Sequence, residues 1–245
     1  LTDAELVDTE LDRANLEGVV LSGATVHNAV LDGATLARAD LTRARILHCA
    51  LEGVSLEGCT FDRTVLARSS ISKTDLRGID LGGCDLTHID LSGARLDGAN
   101  LRSATLVAAD LTGASLVEAN LEGVHAKGVD LTGADLTRAV AHEALLPYAT
   151  LDGAALTSAD FSQSILQDAL MRNADATLAS FRGARLRGAD LSHAKLEGTD
   201  FTEAALSYAN LHAALDDSAR YDRTDLKHVR RTDPDLLEAE LWSPD

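Results

Sequence analysis

Residues 90–106 read DLSGARLDGANLRSATL, and leucine recurs there at every fifth position, as Leu91, Leu96, Leu101 and Leu106. An amphipathic helix places apolar residues three and four apart, and a half-buried strand places them two apart. A spacing of five fits neither pattern. The sequence therefore indicates a structure in which the chain changes direction between successive leucines.

The same spacing continues from Leu1 to Leu226 without an insertion or a deletion. The residue two positions before a centre is nearly always small, as in Ala94 and Ala99, and every glycine except Gly82 lies two positions after a centre. Residues two apart on an extended segment share a face, whereas Asp, Asn, Ser and Gly favour turns. Each pentapeptide is therefore predicted to form one short side of a coil, with its central and its small residue facing inward.

The phenylalanines indicate how many sides close one coil. They are all centres and differ by multiples of 20, at Phe61, Phe161, Phe181 and Phe201, and Tyr221 continues the series. This spacing predicts four pentapeptides per turn, with the last three phenylalanines and Tyr221 stacked as an aromatic ladder. With about 4.8 Å between hydrogen-bonded neighbours, the coils would build a rod roughly 50–55 Å long.

Units such as those in ADLTGASLVEANLEG, residues 109–123, follow the pattern A-[DN]-L-x-x and resemble the pentapeptide-repeat family. The resemblance implies an all-β fold, a right-handed quadrilateral parallel β-helix. The spacing of 20 residues per turn over this length predicts about eleven coils. We expect this β-solenoid to occupy residues 1–230 and a C-terminal cap to occupy residues 231–245.

The C-terminal stretch TDPDLLEAELW, residues 232–242, has the pattern of a short helix. Asp233 is the predicted N-cap, Pro234 the first helical residue, and Asp235 a favourable charge near the helix N-terminus. Leu237 and Leu241 are four residues apart and would share one face of this helix. Together with Trp242 they would cap the last coil or join two copies of the chain in a homodimer.

The chain carries a net charge of −17, with 39 acids against 22 bases. Such a charge repels phosphate backbones and anionic lipids and attracts basic protein surfaces. No run of 18 apolar residues is present, so the sequence predicts no membrane span. We expect a protein partner, with no direct binding to nucleic acid or membrane.

One side of the predicted coil, centred on Leu11, Leu31 and Leu51, is the candidate acidic face. Its acids include Asp90, Asp110, Asp130, Asp152 and Asp190. Stacked carboxylates about 5 Å apart repel one another unless they are screened or hydrogen-bonded. Three interpretations stay open: aspartates that accept hydrogen bonds from turn amides, a surface selected for its negative charge, and a cation site.

The side centred on Leu6, Val26 and Ile46 is slightly basic and rich in histidine, and it is the candidate apolar face. Its outward positions include Leu47, Val65, Val107, Tyr148, Ile165 and Tyr208. A contiguous exposed apolar strip often marks an interaction site. The alternatives are a tolerant face with scattered apolar residues, or a local distortion near residues 141–148 that turns Leu145 inward.

No catalytic pattern stands out in the sequence. Cys49, Cys59 and Cys84 all occupy the small inward position, so they are interpreted as core residues, and unpaired core thiols suit a reducing cytoplasm. We expect no phosphate loop, no metal site and no cofactor. A rod filled by its own side chains should also lack a pocket, so the chain is not expected to be an enzyme.

Two functions remain as hypotheses. The first is a non-catalytic scaffold that binds a protein partner along the apolar face. The second follows from the resemblance, because some pentapeptide-repeat proteins mimic DNA and bind DNA gyrase, a type II topoisomerase, protecting it from inhibitors and so conferring antibiotic resistance. Ice binding is a weaker third idea, since Thr112 and Thr132 form too small an array.

Overall fold

The computed structural model describes residues 1–241, and parallel β-bridges between residues 20 apart organise them. The longest strands are β1 (Glu5–Val7), β2 (Thr25–His27) and β3 (Arg45–Leu47), which form a parallel sheet in that order. Their register pairs Leu6 with Val26 and Val26 with Ile46. Beyond β3 the bridges are isolated, but the spacing of 20 continues as far as the pair Asn210–Arg230.

The bridge residues define four walls. The first wall carries residues 5, 25, 45 and onward; the second carries 10, 30 and 50; the third carries 15, 35 and 55; and the fourth carries 20, 40 and 60. The predicted apolar face lies on the first wall and the predicted acidic face on the second. The chain therefore forms a solenoid with one pentapeptide per wall, as the spacing of the leucines and phenylalanines predicted.

Backbone hydrogen bonds hold neighbouring coils together. Leu91 donates its N–H to the C=O of Asp110 (2.7 Å), and Asp110 donates to Ile89 (2.9 Å). The residue two after each centre turns the corner in the left-handed region, for example Gly93 at φ 62° and His88 at φ 56°. Glycine reaches this region without strain, which explains why the glycines gather at this position.

The core is a column of leucines and alanines along the solenoid axis. Leu91, Leu96 and Leu101 are fully buried, and so are Ala94 and Ala99 between them. The aromatic ladder is confirmed: Phe161, Phe181, Phe201 and Tyr221 stack in sequence, with ring centroids 5.4, 5.3 and 5.4 Å apart. Phenylalanines 20 residues apart therefore lie directly above one another.

The helix α1 (Pro234–Leu241) follows the last coil. Asp233 is its N-cap, as predicted, because the Asp233 carboxylate accepts hydrogen bonds from the N–H groups of Asp235 (3.0 Å) and Leu236 (3.3 Å). No helix among residues 1–241 is long and apolar enough to cross a membrane.

The coil-to-coil pairing is interrupted at one place. Above it, Thr35 bridges Ser55 and Asp40 bridges Thr60; below it, Asp75 bridges Arg95 and Asp80 bridges Asn100. Within the described part of the chain, no bridge joins residue 55 to 75 or residue 60 to 80. The first and second walls stay paired there, through Val65–Asp85 and Ser70–Asp90. The solenoid thus opens on its third and fourth walls only.

Candidate functional site

Three residues of the candidate acidic face lie on consecutive coils. Asp90 bridges Asp110, and Asp110 bridges Asp130. Each carboxylate accepts a hydrogen bond from the backbone N–H two residues on, at 3.0 Å for Ser92, 2.9 Å for Thr112 and 2.9 Å for Thr132. Of the three interpretations, this geometry favours the one in which aspartate satisfies turn amides.

Asp90 has the largest set of hydrogen bonds of these three. Burial raises the pKa of its carboxyl, but hydrogen bonds from the Ser92 hydroxyl (2.7 Å), the Ser92 N–H and the Ser70 hydroxyl (2.8 Å) outweigh burial. The net effect lowers the pKa of Asp90 below its usual value. The carboxylate is therefore held in its charged form by its own turn and by the neighbouring coil.

The other two residues of the candidate acidic face have partners as well. Asp152 forms an ion pair with Arg172 and also accepts the N–H of Arg172 (2.9 Å). Asp190 accepts hydrogen bonds from the Ser192 N–H (3.0 Å) and the Asn210 side chain (2.9 Å). The face is negative, but its carboxylates take part in corner and coil-to-coil contacts, so its charge also serves the fold.

The candidate apolar face is only partly exposed. Tyr148 and Tyr208 are 53% and 51% exposed, whereas four smaller residues on this wall are half-buried, namely Leu47, Val65, Val107 and Ile165. Ile165 pairs directly with Leu145 on the coil above it. The two tyrosines are therefore the side chains that this wall presents most fully to a partner.

Cations lie over both tyrosine rings. The Lys127 ammonium is 5.8 Å from the ring centroid of Tyr148, and the Arg187 guanidinium is 5.2 Å from that of Tyr208. His228 stacks on Tyr208, with centroids 4.8 Å apart. Each tyrosine thus has a cation close to its ring, and Asp168 lies one coil below Tyr148 at the equivalent position.

The interruption of the third and fourth walls forms a cleft, which we define as the space between residues 53–63 (upper lip) and 72–82 (lower lip). It has a volume of about 620 Å³, and its lining includes Val54, Leu56, Thr74, Leu76 and Ile79. The expectation of a rod without a pocket is wrong here. It failed because the unbroken spacing of five residues determines which residues lie above one another in neighbouring coils. It does not determine whether neighbouring coils form hydrogen bonds on every wall.

Larger side chains at the small inward position surround the cleft. Most coils have alanine there, but the positions from 49 to 89 hold Cys49, Val54, Cys59, Thr64, Ser69, Thr74, Ile79, Cys84 and Ile89. On the open walls Val54 lies one coil above Thr74, and Cys59 one coil above Ile79. Two groups larger than methyl then meet where coils usually meet through alanine. The same holds for Thr64 above Cys84 on the first wall, which stays paired, so size at this position does not by itself open the coils.

Hydroxyls at this inward position normally bond to the coil above. Thr64 donates to the C=O of Leu41 (2.7 Å) and Ser69 to that of Ile46 (3.1 Å). Thr74 should reach Leu51 across the cleft, but it donates to Ser72 of its own coil instead (3.3 Å). Ser164, in a closed part of the solenoid, also donates within its own coil, to the C=O of Phe161 (2.6 Å), so the partner of Thr74 agrees with the opening without marking it. The run of non-alanine residues distinguishes this region in the sequence but does not predict which walls open.

Charged groups lie at the mouth of the cleft. Arg77 makes two hydrogen bonds to the Asp75 carboxylate (2.7 and 2.6 Å), which hold the pKa of Asp75 at about 2. Arg95 lies 3.7 Å from the same carboxylate, and Lys73 lies 3.8 Å from Glu52, which directly precedes the upper lip. The lower lip therefore carries equal numbers of basic and acidic groups, because Asp80 adds a second carboxylate to that of Asp75.

A second cluster joins α1 to the second wall. The carboxylate of Glu240 lies 3.3 Å from His193 Nε2 and 3.2 Å from His212 Nε2. His212 Nδ1 accepts the N–H of Asp233 (3.2 Å), so the neutral ring carries its proton on Nε2 and donates it to Glu240. This tautomer offers no Nε2 lone pair to a metal ion, and the cluster serves to hold the helix.

The three cysteines fill the core, as predicted. Cys49 and Cys84 are buried, and Cys59 beside the cleft is half-buried. Burial raises the pKa of all three thiols, that of Cys84 to about 11. A thiol whose pKa is raised is a poor nucleophile, so these residues are structural.

The predicted cap residues lie at the C-terminal end. Leu237 is half-buried on α1, Leu241 is the last residue of α1, and Trp242 lies outside the described residues. Leu226, the last leucine centre, is 37% exposed, so the end of the core is partly open to solvent. Their role as a cap or a dimer contact stays a prediction.

The sequence and the coordinates were compared with known proteins. A family model for pentapeptide repeats matches in overlapping segments from 1–36 to 184–214. HetL from the cyanobacterium Nostoc sp. strain PCC 7120, described as involved in heterocyst differentiation regulation, is 31% identical, with 88% of this chain and 89% of that chain covered and a TM-score of 0.30. No curated protein matches the sequence.

Two further solved structures are similar to the chain at lower identity or coverage. A trypsin-treated variant of QnrB1, a plasmid-mediated fluoroquinolone resistance protein, is 17% identical, with 99% and 98% of the two chains covered and a TM-score of 0.36. AT2G44920 from the Arabidopsis thaliana thylakoid lumen is 35% identical over 33% of this chain and 59% of that chain, with a TM-score of 0.22.

Proposed function

Because the chain belongs to the pentapeptide-repeat family, we propose that it is a non-catalytic scaffold that binds a protein partner along the apolar face. The observation that carries this proposal is the pair of half-exposed tyrosines on the first wall, Tyr148 and Tyr208, each with a cation over its ring. Aromatic residues and arginine are enriched at protein interfaces, where they often supply most of the binding energy.

The net charge narrows the class of partner. At −17 the chain repels polyanions, so a protein surface with basic or mixed charge is favoured over nucleic acid or membrane. We place the protein in the cytoplasm, a proposal supported by three free thiols that a reducing compartment would keep unpaired. We also propose that the solenoid is right-handed, as the family resemblance implies, and that it has about eleven coils, as the spacing of 20 residues per turn predicts.

The test of the scaffold is capture with a double variant, Tyr148→Ser with Tyr208→Ser. Both side chains are exposed, so the fold should survive and a specific partner should be lost. The matched control is Leu178→Ser, because Leu178 is 63% exposed on another wall. Equal capture by the wild type and the double variant, with both folded by circular dichroism, would contradict the proposal.

A second candidate is a DNA mimic that binds DNA gyrase and protects it from inhibitors. The net charge of −17 and the consecutive carboxylates of Asp90, Asp110 and Asp130 favour it. Purified protein should then alter gyrase supercoiling or relieve drug-stabilised cleavage. The triple change of these aspartates to asparagine should weaken that effect, because asparagine keeps the turn acceptor and loses the charge. No effect at micromolar protein rules this candidate out.

A further inference from the structure

We propose that the cleft binds an extended segment of a partner protein, which inserts as an additional strand between the two lips. The cleft opens on the third and fourth walls, away from the apolar face, so it is a second site and does not depend on the scaffold proposal. Its volume of about 620 Å³ lies within the range of roughly 300–1,000 Å³ that is typical of ligand sites.

The backbone of the two lips is the first reason. The register predicts that the upper lip donates two hydrogen bonds to the lower lip, from the N–H groups of Leu56 and Phe61 to the C=O groups of Asp75 and Asp80. It also predicts two bonds in the other direction, from the N–H groups of Asp75 and Asp80 to the C=O groups of Val54 and Cys59. Across the described residues none of these bonds forms, although their equivalents form in the coils above and below. An unpaired strand edge is a template for another strand, and the main-chain bonds supply affinity.

Two facing edges define the occupant more closely than one edge would. A strand placed between them bonds to Leu56 and Phe61 on one side and to Asp75 and Asp80 on the other. Only a polypeptide in extended conformation presents N–H and C=O groups on both of its edges at this spacing. A small molecule would satisfy some of these groups but would not follow the lips from one wall to the next.

The side chains of the lining set the sequence that fits. Val54 and Leu56 on the upper lip and Leu76 on the lower lip are buried, and Ile79 is half-buried. Side chains on a strand alternate between its faces. The inserted segment should therefore carry a small and a large apolar residue two positions apart, facing inward as in the pentapeptides themselves.

The charges of the two lips do not favour a segment of either sign. The lower lip carries two bases and two acids, Lys73, Arg77, Asp75 and Asp80. The upper lip carries two acids and one base, Glu57, Asp62 and Arg63. The partner segment is thus defined by its extended backbone and by apolar residues at the inward positions, with polar residues outward.

The chain supplies a probe with these properties. Residues 92–102, SGARLDGANLR, form the third- and fourth-wall segment directly below the lower lip and combine inward alanines and leucines with polar outward residues. We expect a labelled peptide of this sequence to bind the full chain in a fluorescence anisotropy titration. A peptide with aspartate in place of Leu96 and Leu101 should bind at least about tenfold more weakly, since it would bury charge.

The protein variant that tests the site is Val54→Ala with Ile79→Ala, which removes apolar lining on both lips. It should lower the affinity for the peptide at least about tenfold, because several buried methyl groups are lost. The matched control is Val124→Ala with Val129→Ala, which makes the same kind of deletion in closed coils. The control should bind the peptide like the wild type.

Amide hydrogen exchange on the wild-type chain needs no variant. The amides of Leu56, Phe61, Asp75 and Asp80 should exchange faster than their equivalents in residues 92–102, and peptide should slow them. Slow exchange at the lips without peptide would mean that the coils close in solution, and this overturns the proposal. The proposal is also overturned if the wild-type peptide does not bind, or if the two peptides bind equally well. A third contradicting result is self-association of the chain that the variant Val54→Ala with Ile79→Ala abolishes, because the cleft would then bind a second copy of the chain.

Discussion

Asp90 illustrates how a residue that looks like part of an electrostatic surface serves the fold. Its carboxylate accepts hydrogen bonds from Ser92 and from Ser70 on the coil above. The same turn contact recurs at Asp110 and Asp130, so a column of negative charge arises wherever the sequence favours aspartate before a corner. The charge of the chain is thus in part a consequence of how its corners are built.

This leads to a prediction about acid stability. The pKa of the Asp90 carboxyl is lower in the folded chain than in the unfolded chain, so its hydrogen bonds stabilise the fold at pH values above the unfolded pKa of about 3.9. This stabilisation is lost as the pH falls through the pKa of the folded state. Asp90→Ala should lower the free energy of unfolding by about 1 kcal/mol at neutral pH. Thermal melts should show that this difference shrinks below about pH 4. The exposed Asp62→Ala is the control, and an equal loss in both variants would contradict the assignment.

At the scale of elements, the aromatic ladder is the part of the core that the sequence predicted most directly. Phenylalanines at multiples of 20 require that residues 20 apart lie above one another, and the ring stacking confirms it. The docking of α1 could not be predicted in this way. Asp233 and Pro234 mark where the helix begins, but the contact of Glu240 with His193 and His212 depends on the three-dimensional path of the chain.

The ladder predicts a local loss of stability. Phe181 is fully buried between Phe161 and Phe201, so Phe181→Ala removes two ring contacts and leaves a cavity. We expect a cost of about 3–5 kcal/mol, confined mostly to the adjacent coils because each coil contacts only its neighbours. Hydrogen exchange should locate the loss near residues 160–205. A uniform loss along the whole chain would be inconsistent with this picture.

At the scale of the molecule, the cleft divides the solenoid into unequal parts. The third and fourth walls lack their coil-to-coil bonds between residues 53–63 and 72–82, so the two parts are coupled through the first and second walls only. In a repeat protein the cooperativity of unfolding depends on such interfaces. The weakened interface should therefore allow one part to unfold before the other.

The shorter N-terminal part should unfold first, since it contains fewer coil interfaces. In a urea titration followed by hydrogen exchange, residues 1–50 should lose protection at a lower urea concentration than residues 84–230. Phe181→Ala, which interrupts the aromatic ladder, should destabilise the C-terminal part and so reduce the difference between the urea concentrations at which the two parts unfold. A single transition shared by both segments would show that the interrupted walls do not reduce the coupling.

The repeat determines the register of the whole molecule, but it does not determine whether neighbouring coils are hydrogen-bonded on all four walls. The centres from Leu1 to Leu226 place each residue on a wall, and the bridges confirm that assignment coil by coil. The residues between the open walls, Val54 above Thr74 and Cys59 above Ile79, keep the usual phase while departing from alanine. Thr64 above Cys84 departs from alanine as well, but its wall stays paired. The fold could therefore be predicted from the period, whereas the sequence indicates only the region in which the cleft lies.

The unbroken spacing of 20 also constrains how a gene for such a protein can change in length. A duplication of 20 residues adds one coil, about 4.8 Å of rod, and leaves every downstream side chain on its original wall. A duplication of five residues between Tyr148 and Tyr208 would instead move every downstream residue to the next wall, so that Tyr208 would no longer lie in line with Tyr148. The length of this protein can thus increase by whole turns without changing its surfaces, whereas a smaller insertion would place the residues that a partner would recognise on different walls.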